Sequence, residues 1–309
     1  MSDNNTVDQV RGLVEAYVKP EVVHIKDPRT GSDVPFAKTG NSVIVIPDCE
    51  FDSYRDEPTY RKGTAALLSL DSFIEHVIRF KDGGSAVFAN DSREVPSLTA
   101  VIDYHPAGEM HDVMPRFGKH RSTFLFPLSD EWKAWAAANG PDNHMGMADF
   151  AAFLENRIID VQYIDPATDV LSDDVQRLID TLGGFGTVAS PNKLMELARG
   201  LQINENSVVQ ESVNLATGEG VIRFQTEHTD AAGAPLKVPS IFLIGIPVFR
   251  NGPVYRIVAR LRYRKKNGGV VFWYELWRTD RTFDHAFTEA VERVRKETEL
   301  PVLLGKPEA

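Results

Sequence analysis

Residues 254–264 read Val-Tyr-Arg-Ile-Val-Ala-Arg-Leu-Arg-Tyr-Arg. Successive side chains of a β-strand point to opposite faces. Arg256, Arg260, Arg262 and Arg264 therefore share one face with Val258, while Tyr255, Ile257, Ala259, Leu261 and Tyr263 share the other. The apolar face has to be buried, and the other is a row of guanidinium groups. The segment is thus a strand of a sheet with a packed side. Asn267-Gly268-Gly269 turns the chain back, and Gly269 to Arg278 reads as the partner strand of a hairpin. Trp273, Glu275 and Trp277 share a face of that partner. Where this face meets the arginines, cation–π and ion-pair contacts become available across the hairpin.

The arginine row stands against an acidic background. The net charge is -10 over 309 residues, and the pI is about 5.3. Residues 250–281 carry nine Lys/Arg and two acids, Glu275 and Asp280, a local +7 that leaves -17 for the rest of the chain. A basic face on an acidic molecule suits docking to an acidic surface, including a second copy of the chain. The global charge argues against a general nucleic-acid binder and against a polybasic membrane-surface protein. An arginine–aromatic face can stack single-stranded nucleic acid, and it can equally form a subunit contact, where Trp, Tyr and Arg are enriched. The acidity favours the subunit contact.

One cysteine, Cys49, excludes an intramolecular disulfide and fits a reducing compartment. Its neighbours Asp48 and Glu50 oppose thiolate formation, so it reads as inert. The N-terminus has neither the basic start nor the apolar stretch of a signal peptide. The longest apolar run, Ser240 to Phe249, is too short for a membrane span and holds Gly245 and Pro247. A soluble intracellular protein is expected.

Along the chain, Val7, Val10, Leu13, Val14 and Tyr17 have helical spacing. Short strands at Glu21–Ile25, Val34–Phe36 and Ser42–Pro47 then make either a hairpin folded on its own body or an extended arm, Val22 to Pro47. Phe51 to Gly63 is polar, lacks periodicity and is expected to be mobile. Ser69 or Asp71 caps a helix to Phe80. Strands follow at Ser85–Ala89, Leu98–Tyr104 and Ser122–Phe126. Helices are predicted from Ser129 to before Gly140, from Met145 to Ile159, from Ser172 to Gly183, and from Ser190-Pro191 to Gly200. Five strands come next, at 207–213, 221–228, 238–249, 254–264 and 269–278, joined by short turns as in an antiparallel meander. A helix from Phe283 to Leu300 and a strand at Pro301–Leu304 close the chain. The order predicts an α+β fold. Its parts are an N-terminal helix and arm (1–50), a mixed middle (51–206) and an antiparallel sheet with a C-terminal helix (207–309).

The cluster most suggestive of catalysis is Asp103, His105, Glu109, His111, Asp112 and His120. Such N and O donors could serve a metal or acid–base chemistry. Asp103 and His105, two apart on the predicted strand, would share a face. The spacing matches no metal motif, and Pro106-Ala107-Gly108 puts Glu109 and His111 on a loop. Solvated polar residues at a strand end are the plainer reading. Gly183-Gly184-Phe185-Gly186 follows a helix rather than a strand, so it reads as a helix end and not a phosphate cradle. His24, His76, His228 and His285 stand alone in sequence.

Several segments resemble the YfdQ-like family of uncharacterised phage and prophage proteins. They are Val101-Ile102-Asp103-Tyr104-His105, Lys119-His120-Arg121, Pro127 to Trp135, Phe150 to Glu155, Val238 to Phe249, Ala259 to Arg264 and Pro301 to Gly305. The similarity spans roughly Thr59 to Lys306. It implies a phage- or prophage-encoded protein of the bacterial host cytoplasm and carries over no catalytic residue. The expectation is a non-catalytic accessory protein that self-assembles, needs no cofactor or metal, and makes its contact through Arg256, Arg260, Arg262, Arg264, Trp273 and Trp277. Two alternatives stand beside it: a metal-assisted hydrolase or nuclease using Asp103, His105, Glu109, His111 and His120, and a single-stranded nucleic-acid binder using the arginine face.

Overall fold

The computed structural model describes residues 3–19, 21–26, 31, 33–39, 42–45, 56–58, 60–108, 115–165, 168–182, 184, 188–200, 239–266 and 269–308. The chain forms two compact units, Met1–Ala65 with Phe117–Arg121, and Ala66–Arg116 with Ser122–Ala309.

The first unit opens with α1 (Asp3–Val18), the helix its apolar spacing predicts. The arm follows as β1 (Glu21–Lys26), β2 (Asp33–Thr39) and β3 (Ser42–Val45), an antiparallel sheet in that order. Val23 lies opposite Phe36, which lies opposite Val45; Val22, Ala37 and Ile44 are likewise in line. Residues directly across a sheet share a face, so both faces of this small sheet are apolar. Tyr60 stacks on Phe117 with ring centroids 4.6 Å apart.

Two further sheets follow, in the second unit apart from Gly63–Ala65 and His120–Arg121. One has the order β13-β5-β6-β7-β4, built from β4 (Gly63–Leu67), β5 (Ala86–Asn90), β6 (Ser97–Val101), β7 (His120–Leu125) and β13 (Val302–Leu304). The C-terminal β13 lies parallel to β5, a pairing that the whole length of chain between them makes possible. Two helices cover one face, α2 (Leu70–Phe80) and α7 (Thr279–Thr298). Phe73, Ile74 and Val77 of α2 meet Phe283, Phe287, Val291 and Val294 of α7 over Val87, Leu98 and Phe124. Ser69 caps α2, its hydroxyl accepting from the Ser72 N–H at 3.1 Å.

The other sheet has the order β8-β12-β11-β10-β9 and is antiparallel throughout. Its centre is the meander β10 (Ile241–Pro247), β11 (Val254–Lys266) and β12 (Gly269–Leu276). Its outer strands are short pieces of the middle chain, β8 (Met145–Gly146) and β9 (Val161–Gln162). On one face pack α3 (Asp130–Ala137), α4 (Met147–Glu155) and α6 (Pro191–Gly200), with Trp135, Phe150, Leu154 and Leu194 against Phe242, Ile257, Phe272 and Tyr274. On the other, α5 (Asp173–Thr181) sets Ile179 on Ile241, Leu243 and Val258. Ser129 ties the two sheets: its N–H donates to Val248 O and its hydroxyl to Pro247 O while capping α3.

The α+β class and the C-terminal antiparallel strands are as the sequence predicts. Several boundaries differ, these three among them. The strand expected to reach Tyr104 stops at Val101, and a turn follows. The helix expected over 145–159 is divided: Met145 and Gly146 pair with β12, the helix runs only to Glu155, and a 3-10 turn spans Ile158–Asp160. The last helix begins at Thr279, because Arg278 takes a left-handed backbone (φ 52) that sets its first turn early. The strands expected at 207–213 and 221–228, Cys49, residues 51–55 and Thr59 lie outside the described residues.

Candidate functional site

The alternation along β11 is as expected. Ile257, Ala259 and Leu261 are buried in the helix-covered core, and the arginines emerge opposite. What those arginines touch was not legible from spacing. The Nε of Arg256 donates to Gln162 Oε1 at 2.9 Å, and a terminal nitrogen donates to Asp169 at 2.8 Å. Gln162 reaches Arg256 by crossing over Gly245, where a Cβ would stand 1.9 Å from its Nε2. The Asp165 N–H and then Arg256 hold the Asp169 carboxyl below its ordinary range.

Across the hairpin, Arg260 pairs with Glu275 in register, and Arg262 with Trp273. The contacts are diagonal. Arg262 Nε donates to Glu275 at 3.4 Å, Trp273 Nε1 donates to the same carboxylate at 3.4 Å, and Arg264 lies over the Trp273 ring at 5.5 Å. Trp277 packs with the α5 side of the sheet, and Arg278 covers its ring at 4.4 Å. The Nε of Arg260 is buried and has no hydrogen-bond partner among the described residues. Arg256 and Arg262 are thus engaged within their own chain, and Arg264 is held by stacking.

The aspartate–histidine cluster does not assemble as drawn. Asp103 and His105 stand in the turn after β6, not on one strand face. His105 Nδ1 accepts the Arg116 N–H at 3.0 Å, which places the neutral ring's proton on Nε2. Arg116 meets both oxygens of Asp82 at 2.8 Å. Burial pushes the Asp82 carboxyl up, but the Gly84 N–H, Arg116 and Ser85 together bring it below its usual value. Gly84 is required here, since a Cβ would lie 2.9 Å from Tyr104 O. Glu109, His111 and Asp112 lie outside the described residues, and His120 begins β7. Among the described residues no three His, Cys, Asp or Glu side chains converge as a metal site would require.

One pair escaped the sequence reading. The Ser122 hydroxyl stands 2.8 Å from His76 Nδ1. A serine–histidine pair suggests nucleophilic catalysis, but Ser122 is 0% exposed, so its oxygen is closed to substrate. Only the fold brings these two distant residues together.

The N-terminal unit holds a third candidate surface. Val7, Val10 and Val14 form one stripe of α1 and are 65%, 54% and 54% exposed. Val22, Ile25, Val43, Ile44 and Val45 of the small sheet are each more than half exposed as well. Among the described residues, none before Leu67 belongs to a buried cluster.

Fold and surfaces thus define a mixed α+β protein with an arginine–tryptophan ribbon and an apolar N-terminal unit, and no helix among the described residues is long and apolar enough to cross a membrane. The chain belongs to a family described as uncharacterized conserved protein (DUF2303), whose model matches residues 24–307. No curated protein and no solved structure matches it.

Proposed function

We propose that the protein is a non-catalytic accessory protein, encoded by a phage or prophage, that acts by self-assembly in the bacterial host cytoplasm. The observation that carries this reading is the uncovered apolar surface of the N-terminal unit. A three-stranded sheet of short strands needs a packed face for stability, yet both faces here present aliphatic side chains to water. Burying a valine or isoleucine contributes about 1.5–3 kcal/mol, so covering this surface is worth more than any surface ion pair of the chain. A second copy suits it. Opposite charges already face each other at the strand ends, Glu21 across from Lys38 and Lys26 across from Asp33. That leaves a neutral apolar centre, which a two-fold contact can bury against itself.

Under this reading the ribbon is a secondary contact. Arg260 remains to meet an acidic neighbour, because Arg256 and Arg262 are held by their own chain and Arg264 stacks on Trp273. Light scattering on purified protein should give a multiple of 34.4 kDa at micromolar concentration. The doubly substituted Val10→Glu/Ile44→Glu chain should fall to one copy and keep its circular dichroism. A wild-type chain that runs as a monomer sinks the proposal.

A second reading has one observation in its favour. The Trp273 ring with Arg264 beside it resembles a stacking platform for single-stranded nucleic acid. Glu275 lies between Arg262 and Trp273 and repels phosphate there. Arg260→Glu/Arg262→Glu distinguishes the two: release of a bound oligonucleotide, with salt-dependent affinity in the parent, favours the platform. Loss of oligomeric state alone favours assembly.

A further inference from the structure

Between the start of α2, the middle of α7 and the turn that joins β10 to β11 lies a cavity of about 210 Å³. Phe124, Phe126 and Phe249 line it, and Ala286 and Ala290 form a low wall on α7. The Phe126 and Phe249 rings are 4.8 Å apart, part of an aromatic chain that continues to Phe283 and Phe287. A dry apolar cavity of about 150 Å³ is enough to take benzene. This one therefore has room for one or two fused rings, and it opens at one side.

The mouth is polar, and its charges differ in how firmly they are held. The Tyr255 hydroxyl donates to Glu289 at 2.6 Å. Arg293 donates to Asp71 at 2.6 Å and to Glu297 at 2.7 Å. Among the described residues the one acid near Arg250 is Asp130, at 3.9 Å, beyond hydrogen-bond range, and the Arg250 side chain is 57% exposed. The backbone of Arg250 is nevertheless anchored: its N–H donates to Pro127 O at 2.8 Å, and the Gly252 N–H closes the turn on Phe249 O at 3.0 Å. Asn251 takes the left-handed conformation (φ 61) that this turn needs. A cation with donors to spare thus stands on a rigid turn beside an aromatic cavity, while Arg293 is taken up by Asp71 and Glu297, and Glu289 accepts from the uncharged Tyr255 hydroxyl.

We propose that this cavity binds a small aromatic monoanion, its ring system among Phe124, Phe126 and Phe249 and its acidic group on Arg250. Apolar volume with a few fixed polar groups at its edge is the general form of a small-molecule site. The site lies wholly in the larger unit and does not depend on how the N-terminal unit is covered.

The test is a ligand-observed NMR titration of the full chain with indole-3-acetate, and in parallel with its neutral amide. The acid should bind saturably at one site, and the amide about tenfold more weakly, since a hydrogen bond to a charged group is at stake. Arg250→Gln should weaken the acid by a similar factor and leave the amide unchanged. Ala290→Trp, at a half-buried position of α7, should abolish both while circular dichroism stays as in the parent. Equal binding of acid and amide overturns the anionic class, and unaltered binding by Ala290→Trp overturns the location. Absence of binding in the parent also overturns the proposal. If binding then emerges in the assembly-deficient Val10→Glu/Ile44→Glu chain, the occupant is a neighbouring copy.

Discussion

Replacing Gly245 by alanine tests whether the ribbon is held from within its own chain. In β10 a Cβ at this position would lie 1.9 Å from Nε2 and 2.5 Å from Cδ of Gln162. Backbone strain is not at issue, because Gly245 does not have a positive φ. The cost falls on Gln162, which must swing out of its place over β10. Its Oε1 then leaves Arg256 Nε, a bond of 2.9 Å to a charged donor.

Such a bond contributes about 1.5–3 kcal/mol where it is shielded. Arg256 is 41% exposed, so the lower half of that range applies. Removing a strand glycine returns roughly 0.5–1 kcal/mol. The net expectation for Gly245→Ala is a loss of about 1 kcal/mol. Gln162→Ala alone should cost about 1.5–2 kcal/mol, since it deletes the same bond without the return from the glycine. In the doubly substituted chain the three atoms nearest the alanine Cβ at 245 are gone, so its own effect should be neutral or stabilising. Urea denaturation of the four chains, read as a double-mutant cycle, should give a coupling of at least about 1 kcal/mol. Additive losses would refute the crossing of Gln162 over Gly245 and the internal anchoring of Arg256.

Two further substitutions probe the larger unit. Asp82 has its folded-state pKa below the unfolded value. Its stability contribution is present above the ordinary carboxylate pKa and is lost as the pH falls through the lower folded value. Asp82→Asn should therefore reduce stability at neutral pH by at most about 1 kcal/mol, given its exposure, and flatten the acid limb of the denaturation profile. An unchanged acid limb refutes the Arg116 pairing. Trp135 Nε1 donates to Asp160 at 2.7 Å. Burial lifts the Asp160 carboxyl above its usual value, and the indole bond partly offsets that. Trp135→Phe should raise it further and cost about 1–3 kcal/mol. Carboxyl NMR titration and thermal melts measure the two effects.

Much of the local architecture was legible because it depends on neighbours in sequence. The two faces of β11 follow from a period of two, and the α1 stripe from a period near 3.6. Ser69 and Ser129 announce α2 and α3, since a serine oxygen before a helix accepts an orphan N–H whatever lies beyond. Asp103 and His105 misled because a strand's end depends on its partner: β6 stops pairing with β5 at Val101, and the alternation lapses there.

By itself the sequence determined the faces, the caps and the α+β class, all set by spacing of a few residues along the chain. The tertiary structure alone decided that β8 and β9 flank the meander, that β13 joins β5, and that Asp169 lies against Arg256. It also decided that Phe124, Phe249, Ala290 and Arg250 enclose one space. These contacts join segments far apart along the chain, and their partners are chosen by how whole faces pack, which no local period encodes.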